Sequence, residues 1–190
     1  MKGKIVLSVA VILGLVSFFL DSKTLSAASA VQNTYISYIM EWFSNLSSLI
    51  IVLAVLSSLL LWEERKKGWI KVVWLSFIAA SVLSIAAKLA VARPRLGLYE
   101  GFLLSQYSFP SMHAALAFSL LPILDKEFPK LKWFWVAFAF LVATSRLYLR
   151  AHYLSDVVWG AILGYVVGKT MVIVEENQLL KRFLWKKAFR

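Results

Sequence analysis

Long apolar runs alternate with short polar segments along the chain, and this pattern predicts helices that cross a membrane. A spanning helix needs about 20 largely apolar residues. Six runs approach or reach that length, at residues 5–20, 44–62, 70–90, 111–124, 133–149 and 156–174. We therefore predict an all-α fold, a bundle of six transmembrane helices in a single membrane domain that covers residues 1–190.

The composition agrees with a membrane protein. Hydrophobic residues make up 61% of the 190 residues, above the share in ordinary soluble domains. The chain has no cysteine, which excludes disulfides, thiol nucleophiles and thiolate metal sites. Its first apolar run follows Lys2 and Lys4 and precedes a small-residue "ASA" that could pass for a signal-peptidase site. We interpret this run as the first span.

The net charge of +11 is concentrated in short loops, so a membrane explains it better than nucleic acid does. Basic residues mark cytoplasmic loops of membrane proteins. In a six-span layout, four basic regions fall on one side: Lys2 and Lys4, the turn 65–71, the turn 126–132 and the tail 175–190. The sequence thus predicts a bacterial inner-membrane protein with both termini in the cytoplasm, and with no obligate protein partner.

On the opposite side, basic residues cluster with both histidines of the chain. The cluster lies in three segments, "KLAVARPRL" (88–96), "YSFPSMHAAL" (107–116) and "SRLYLRAHYLSD" (145–156). Charges at membrane depth are costly and are usually functional. Side chains that merely snorkel to the lipid headgroups would not explain why they gather around the histidines.

Local spacing predicts how the first and third segments are arranged. Lys88 and Arg95 are seven residues apart and would share one face of a helix, which Pro94 would end or bend. His152 and Asp156 are four residues apart, one helical turn at the start of the last span. These side chains would therefore converge in pairs.

The second segment predicts a helix start. Ser108 is the expected N-cap and Pro110 the expected first-turn residue of the fourth span. The N–H groups at such a start form an anion site, close to Ser111 and His113.

This set of side chains suits phosphoryl transfer. Arginine and lysine neutralise the oxygens of the transferred group. A neutral imidazole can attack phosphorus while a carboxylate holds its other ring nitrogen. A second imidazole can protonate the leaving oxygen.

The three segments resemble the tripartite signature of the type 2 phosphatidic acid phosphatase superfamily, which also includes vanadium haloperoxidases. The first family motif is lysine, six residues, then Arg-Pro, and here Lys88 and Arg95 have that spacing although Leu96 replaces the proline. The second is Pro-Ser-Gly-His and reads Pro110-Ser111-Met112-His113. The third is Ser-Arg, five residues, His, three residues, then Asp. It is matched at every specified position, by Ser145, Arg146, His152 and Asp156. The three motifs lie within residues 88–156.

The resemblance implies a role for each matched residue. His152 would be the nucleophile that forms a phosphohistidine, Asp156 would orient it, and His113 would be the general acid and later the base. The phosphate would be held by Lys88, Arg95, Ser111, Arg146 and the backbone of Met112. Arg93 and Ser145 are secondary candidates. No metal and no cofactor are expected.

Two departures from the family pattern leave questions open. Leu96 loosens the first motif, so either Arg93 or Arg95 would be the main phosphate ligand, and spacing favours Arg95. Met112 stands where the family often has glycine, which matters if the turn requires positive φ.

The resemblance implies a lipid phosphatase, and the positive-inside pattern predicts that its site faces the periplasm. Its partners would be membrane lipids, and its substrate would be phosphatidylglycerophosphate, phosphatidic acid, undecaprenyl diphosphate or the 1-phosphate of lipid A. Two alternatives stay open: a lipid-to-lipid phosphotransferase, and a non-catalytic lipid-binding or transport module. Nothing in the residues decides the substrate.

Glycines recur at every fourth residue of the last apolar run, at Gly160, Gly164 and Gly168. Such a stripe of small residues lets two helix backbones approach closely in a membrane. We therefore predict close helix packing along this face.

Overall fold

The computed structural model describes residues 2–62, 66–96 and 106–188, with side chains between residues 8 and 178. Throughout these residues the regular structure is helical, apart from one isolated bridge between Pro94 and Tyr107. The α-helices are α1 (Lys2–Ala30), α2 (Thr34–Ser44), α3 (Leu46–Leu49), α4 (Ser57–Leu60), α5 (Gly68–Val91), α6 (Met112–Glu127), α7 (Lys132–Tyr148) and α8 (Leu154–Ala188). A π-helix (Ile50–Leu56) joins α3 to α4, and a 3₁₀ turn (Pro129–Leu131) precedes α7.

The helix pair after α1 is bent. Thr34–Ser44 and Leu46–Leu60 meet at an angle of 56°. Two asparagines fix the two helix starts, because their side chains accept the first free N–H groups. Asn33 accepts from Tyr35 N at 3.0 Å, and Asn45 accepts from Ser47 N at 2.8 Å. The predicted run 44–62 therefore forms the second arm of a bent pair, and α2 forms the first.

Three helical stretches are long and apolar enough to cross a membrane: Ser8–Ala30, Gly68–Val91 and Leu154–Gln178. The bent pair adds a fourth if it is counted as one span. The helices α6 and α7 have 16 and 17 residues, somewhat less than the roughly 20 that a perpendicular span requires. The prediction of a helical membrane protein is confirmed, and the count of six spans stays a prediction.

The helix α6 lies at the centre of the bundle. It packs against α5, α7 and α8, and its contact with α8 is the most extensive of any helix pair described. Leu116, Leu120 and Leu124 on α6 are fully or almost fully buried, as is Trp135 on α7. Because α6 begins with the second motif, the same packing also fixes the position of that motif.

The glycine stripe forms the contact between α8 and α6, as predicted. A β-carbon added to Gly160 would lie 2.4 Å from the backbone oxygen of Ser111. At Gly164 and Gly168 it would lie 2.0 Å from Ala115 O and 1.9 Å from Ser119 O. Since these neighbours are backbone atoms, a side chain could fit only if the two helices moved apart.

The two ends of the bundle differ in chemistry. At one end, basic residues near the start of α5 and the end of α6 pair with acidic residues of α8: Lys71 with Glu175 at 2.8 Å and Lys126 with Glu176 at 2.5 Å. The three motif segments lie at the other end, where α5 ends and where α6 and α8 begin.

Helix α8 continues to Ala188, so the predicted basic tail 175–190 is largely helical. Arg65 and the side chains of the tail from residue 179 lie outside the described residues.

We expect Gly164→Ala to destabilise the protein, because its methyl group would collide with the α6 backbone. Overpacking of this kind costs about 1–3 kcal/mol. Gly68→Ala is the matched control, since nothing lies within 4 Å of a β-carbon at that position. Thermal unfolding in detergent should show a lower Tm for Gly164→Ala only. An unchanged Tm for both variants would contradict the close contact.

Candidate active site

The first motif segment turns sharply after α5. The helix ends at Val91, and Ala92 adopts a left-handed backbone with φ of 47°. Arg95 therefore lies beyond the helix, and the prediction that Lys88 and Arg95 share a helix face is wrong. Backbone hydrogen bonds instead hold this segment against the second motif segment, from Arg95 N to Gln106 O at 3.0 Å and from Ser108 N to Arg93 O at 2.8 Å.

Lys88 fastens the same two segments from inside. Its Nζ donates to the backbone oxygens of Tyr107 at 2.9 Å and Ser108 at 3.1 Å, and the residue is only 5% exposed. An ammonium group has three N–H donors. Within the described part of the chain two of them bind the loop, which leaves a third for an anion in the site.

The second motif segment starts α6 one turn later than predicted. Ser111 is the N-cap, and its hydroxyl accepts from Ala114 N at 3.5 Å. The assignment of Ser108 as N-cap and Pro110 as a first-turn residue is wrong, because Ser108 donates its N–H to the loop at Arg93 and stays outside the helix.

The methionine in the second motif is accommodated in the core. Met112 is the first residue of α6, and its side chain packs against the main hydrophobic core. Among the described residues other than glycine, positive φ occurs at Ala92 and Arg150 and not at Met112. The backbone therefore does not require glycine at this position.

The third motif segment brings His152 and Asp156 together. His152 precedes α8, and its Nδ1 lies 3.4 Å from Oδ2 of Asp156, which also accepts from Tyr153 N at 3.0 Å. The predicted pairing is confirmed, although α8 begins only at Leu154. On the opposite edge of the ring, Nε2 lies 3.2 Å from a terminal nitrogen of Arg95. A carboxylate at Nδ1 favours the tautomer whose lone pair is on Nε2.

His152 is held in its neutral form by its surroundings. The residue is 2% exposed, and Asp156 is fully buried. Burial, together with the positive charges of Arg146, Arg95 and Lys88, lowers the pKa of His152 well below its ordinary value. A neutral imidazole keeps its lone pair and can act as a nucleophile at physiological pH.

Arg93 is clamped between two carboxylates. One terminal nitrogen donates to Asp156 at 2.8 Å and the other to Asp21 at 2.8 Å, while its guanidinium lies 3.9 Å from the ring centre of Tyr153. Arg95, by contrast, is directed at His152. The geometry therefore favours Arg95 over Arg93 as a phosphate ligand, in agreement with the motif spacing.

Sequence reasoning missed Asp21. The first span was predicted to end at residue 20, whereas α1 continues to Ala30 and carries Asp21 inside the bundle. A carboxylate directly after an apolar run was the available signal, because an acidic group at membrane depth needs a partner.

The remaining motif residues occupy different environments. Arg146 is buried, and it donates to the backbone oxygen of Ser44 at 3.3 Å and to the Ser44 hydroxyl. Ser145 directs its hydroxyl back to Val142 O at 2.8 Å, within its own helix. His113, in the first turn of α6, lies within electrostatic range of His152 and of the site cations.

Among the described residues, no group of three His, Cys, Asp or Glu side chains is placed to hold a metal ion.

The fold and the site define a helical membrane protein with a buried His–Asp pair surrounded by arginine and lysine. The chain belongs to the PAP2 superfamily, since the family model matches residues 75–179 and hence all three motif segments. This is the family that the motifs resemble.

Two relatives match by sequence. An undecaprenyl-diphosphatase from Sulfolobus acidocaldarius is 31% identical over 137 residues, which cover 67% of this chain and 65% of that protein. The bacitracin transport permease protein BcrC of Bacillus licheniformis is 42% identical over 57 residues, 30% of this chain and 28% of that protein. The alignments thus span less than two thirds of each relative.

Two solved structures share the fold. A PAP2-type phosphatidylglycerolphosphate phosphatase from Bacillus subtilis superposes with a TM-score of 0.70 at 22% identity, over 90% of this chain and 96% of that one. LpxE of Aquifex aeolicus superposes with a TM-score of 0.67 at 24% identity, over 80% and 94% of the two chains. At these identities the likeness establishes the fold alone.

We expect Arg95→Gln to weaken the binding of inorganic phosphate by about 10- to 100-fold, because it removes a charged donor next to His152. Arg93→Gln is the matched control, and it should weaken binding by less than about threefold, since its donors face carboxylates. Titration of purified protein with phosphate, followed by ³¹P NMR, measures both. Equal weakening by the two substitutions would contradict this assignment.

Proposed function

We propose that this protein is an integral membrane phosphatase that removes a phosphate group from a lipid phosphomonoester or diphosphate. The observation that carries the proposal is the position of the His152 ring, between Asp156 at Nδ1 and Arg95 at Nε2. A nucleophile, its orienting carboxylate and a cation for the phosphate oxygens thus lie within one buried cluster.

The reaction proceeds in two steps. In the first, Nε2 of His152 attacks phosphorus, the bond from phosphorus to the lipid oxygen breaks, and His113 donates its proton to that oxygen. In the second, His113 takes a proton from water, the water oxygen attacks phosphorus, and the bond from phosphorus to Nε2 breaks. Asp156 keeps the Nδ1 proton in place and stabilises the positive charge that the ring carries between the steps.

The phosphate oxygens bind to the cations around His152. Arg95 turns from Nε2 to the phosphate when substrate enters, Lys88 supplies its third N–H, and Arg146 adds a second guanidinium. The start of α6 contributes through Ser111 and the backbone N–H of Met112. No metal takes part in this scheme, because these cations neutralise the transferred group.

The whole chain forms one domain with six spans, in which α6 and α7 cross together with the longer helices. Both termini face the cytoplasm of a bacterial cell, and the site opens at the periplasmic side of the inner membrane. The charge distribution supports this orientation, since the basic turns near Lys71 and Lys126 lie at the end of the bundle opposite to the motifs.

Among lipid phosphates, we propose an isoprenoid diphosphate as the main substrate. Of the two sequence matches described above, the longer one, over 137 residues, is to a protein named undecaprenyl-diphosphatase. The name of one solved structure keeps phosphatidylglycerophosphate among the lipids to be tested, and phosphatidic acid and lipid A 1-phosphate stay among them because the motif resemblance implies them. The phosphotransferase alternative uses the same first step, with a lipid hydroxyl in place of water in the second.

A lipid panel tests the function. Purified protein should release phosphate from undecaprenyl diphosphate faster than from phosphatidylglycerophosphate, phosphatidic acid or lipid A, and it should retain its rate in EDTA.

His152→Ala should lower the rate by at least about a thousandfold, since the nucleophile is lost. Circular dichroism serves as the folding control. No release from any lipid would overturn the proposal, a strict need for Mg²⁺ would overturn the metal-free scheme, and phosphate transferred to a second lipid would identify a phosphotransferase.

Single cysteines test the orientation, because the native chain has none. Gln106 and Lys67 are both exposed and lie at opposite ends of the bundle. A membrane-impermeant maleimide should label Gln106→Cys in intact spheroplasts and Lys67→Cys only after permeabilisation. The reverse pattern would put the site in the cytoplasm and would exclude periplasmic substrates.

A further inference from the structure

A second carboxylate, outside all three motifs, is built into the site from α1. Asp21 is 8% exposed and accepts three hydrogen bonds that join α1 to the site. The donors are Arg93 at 2.8 Å, the Ser155 hydroxyl at 2.7 Å and the Ser155 backbone N–H at 2.8 Å. Ser155 lies in the first turn of α8, so Asp21 also caps the helix that carries Asp156.

Asp21 and Asp156 share a single guanidinium. Arg93 donates to each of them at 2.8 Å, and its Asp156-bound nitrogen also donates to the Ser155 hydroxyl at 2.6 Å. Two carboxylates and one guanidinium leave one net negative charge next to Nδ1 of His152. If Asp21 were neutral, the charge of Arg93 would cancel that of Asp156.

We infer that Asp21 is a positioning residue, which neutralises Arg93 so that the negative charge of Asp156 remains available to His152. The inference rests on the proposed phosphohistidine chemistry. His152 becomes positively charged when it is phosphorylated, while Arg95, Arg146, Lys88 and His113 all lie around it. Without an uncompensated carboxylate, that cation would form among like charges, and the first step would slow down.

The substitution Asp21→Asn tests the role of the charge, since asparagine retains the size and one oxygen for Ser155 N. We expect kcat to fall by about 10- to 100-fold with KM changed by less than about threefold, as is typical when the partner of a reacting group is lost. Ser17→Ala is the matched control, because Ser17 is buried one turn earlier on α1 and bonds only to Gly14 O at 2.6 Å among the contacts described. It should retain the wild-type kcat. A kcat of Asp21→Asn equal to that of Ser17→Ala would overturn the inference.

The double variant Asp21→Asn/Arg93→Gln separates charge from structure. It removes one negative and one positive charge, so the single negative charge next to His152 returns. We expect its kcat to exceed that of Asp21→Asn by about fivefold or more, a non-additive result. If Asp21 serves only to hold α1 against α8, the second substitution should lower kcat further, and that outcome would overturn the inference.

A measurement without substrate distinguishes failure of this inference from failure of the proposed function. The chain has two histidines, so ¹⁵N NMR of the ring nitrogens can resolve His152 once His113→Gln has assigned the other. We expect the Nδ1–H tautomer of His152 to dominate in the native protein and to decline in Asp21→Asn. An unchanged tautomer ratio would overturn the inference even if the lipid panel shows phosphatase activity. A panel without activity would overturn the proposed function and, with it, the positioning role of Asp21 in that reaction.

Discussion

The close contact between α6 and α8 is the constraint on which the site depends. The two helices carry the second and third motifs, and only hydrogen atoms on α8 separate its backbone from Ser111 O, Ala115 O and Ser119 O. At the end of this contact that carries the motifs, Ser111 N donates to Asp156 O at 2.9 Å. The start of α6 is therefore bonded directly to the first turn of α8. The glycine stripe therefore fixes the distance between His113 and His152 through the backbone rather than through long side chains.

A bundle in a membrane cannot rely on the hydrophobic effect to bring helices together, because lipid is as apolar as leucine. Packing and polar contacts must do so, and here the polar contacts coincide with the site. Lys88 binds α5 to the second motif segment, and Arg93 binds α1, α8 and the first motif segment through two carboxylates. The charged residues of the candidate site thus also join the helices of the bundle.

Sequence predicted which groups come together better than it predicted the local backbone. The pairing of His152 with Asp156 followed from a four-residue spacing, and the α8 contact followed from glycines at the same interval. The prediction that Arg95 lies on a helix was wrong because the chain turns at Ala92, which has a left-handed backbone conformation. No residue pattern indicated that conformation. Asp21 escaped notice because its partners are 72 and 134 residues away in sequence, and only the folded bundle brings a lone carboxylate to them.

The proposed role of His152 as nucleophile explains why charges of both signs surround one buried ring. A nucleophilic imidazole must be uncharged before attack and positively charged after it, and burial favours only the first of these states. Cations for the phosphate disfavour the second state still further. A carboxylate at Nδ1 is the compensating element, and its effect is strong because the low-dielectric interior does not screen it. The proposed chemistry therefore needs both signs of charge, which the site supplies with Arg95 at Nε2 of the ring and Asp156 at Nδ1.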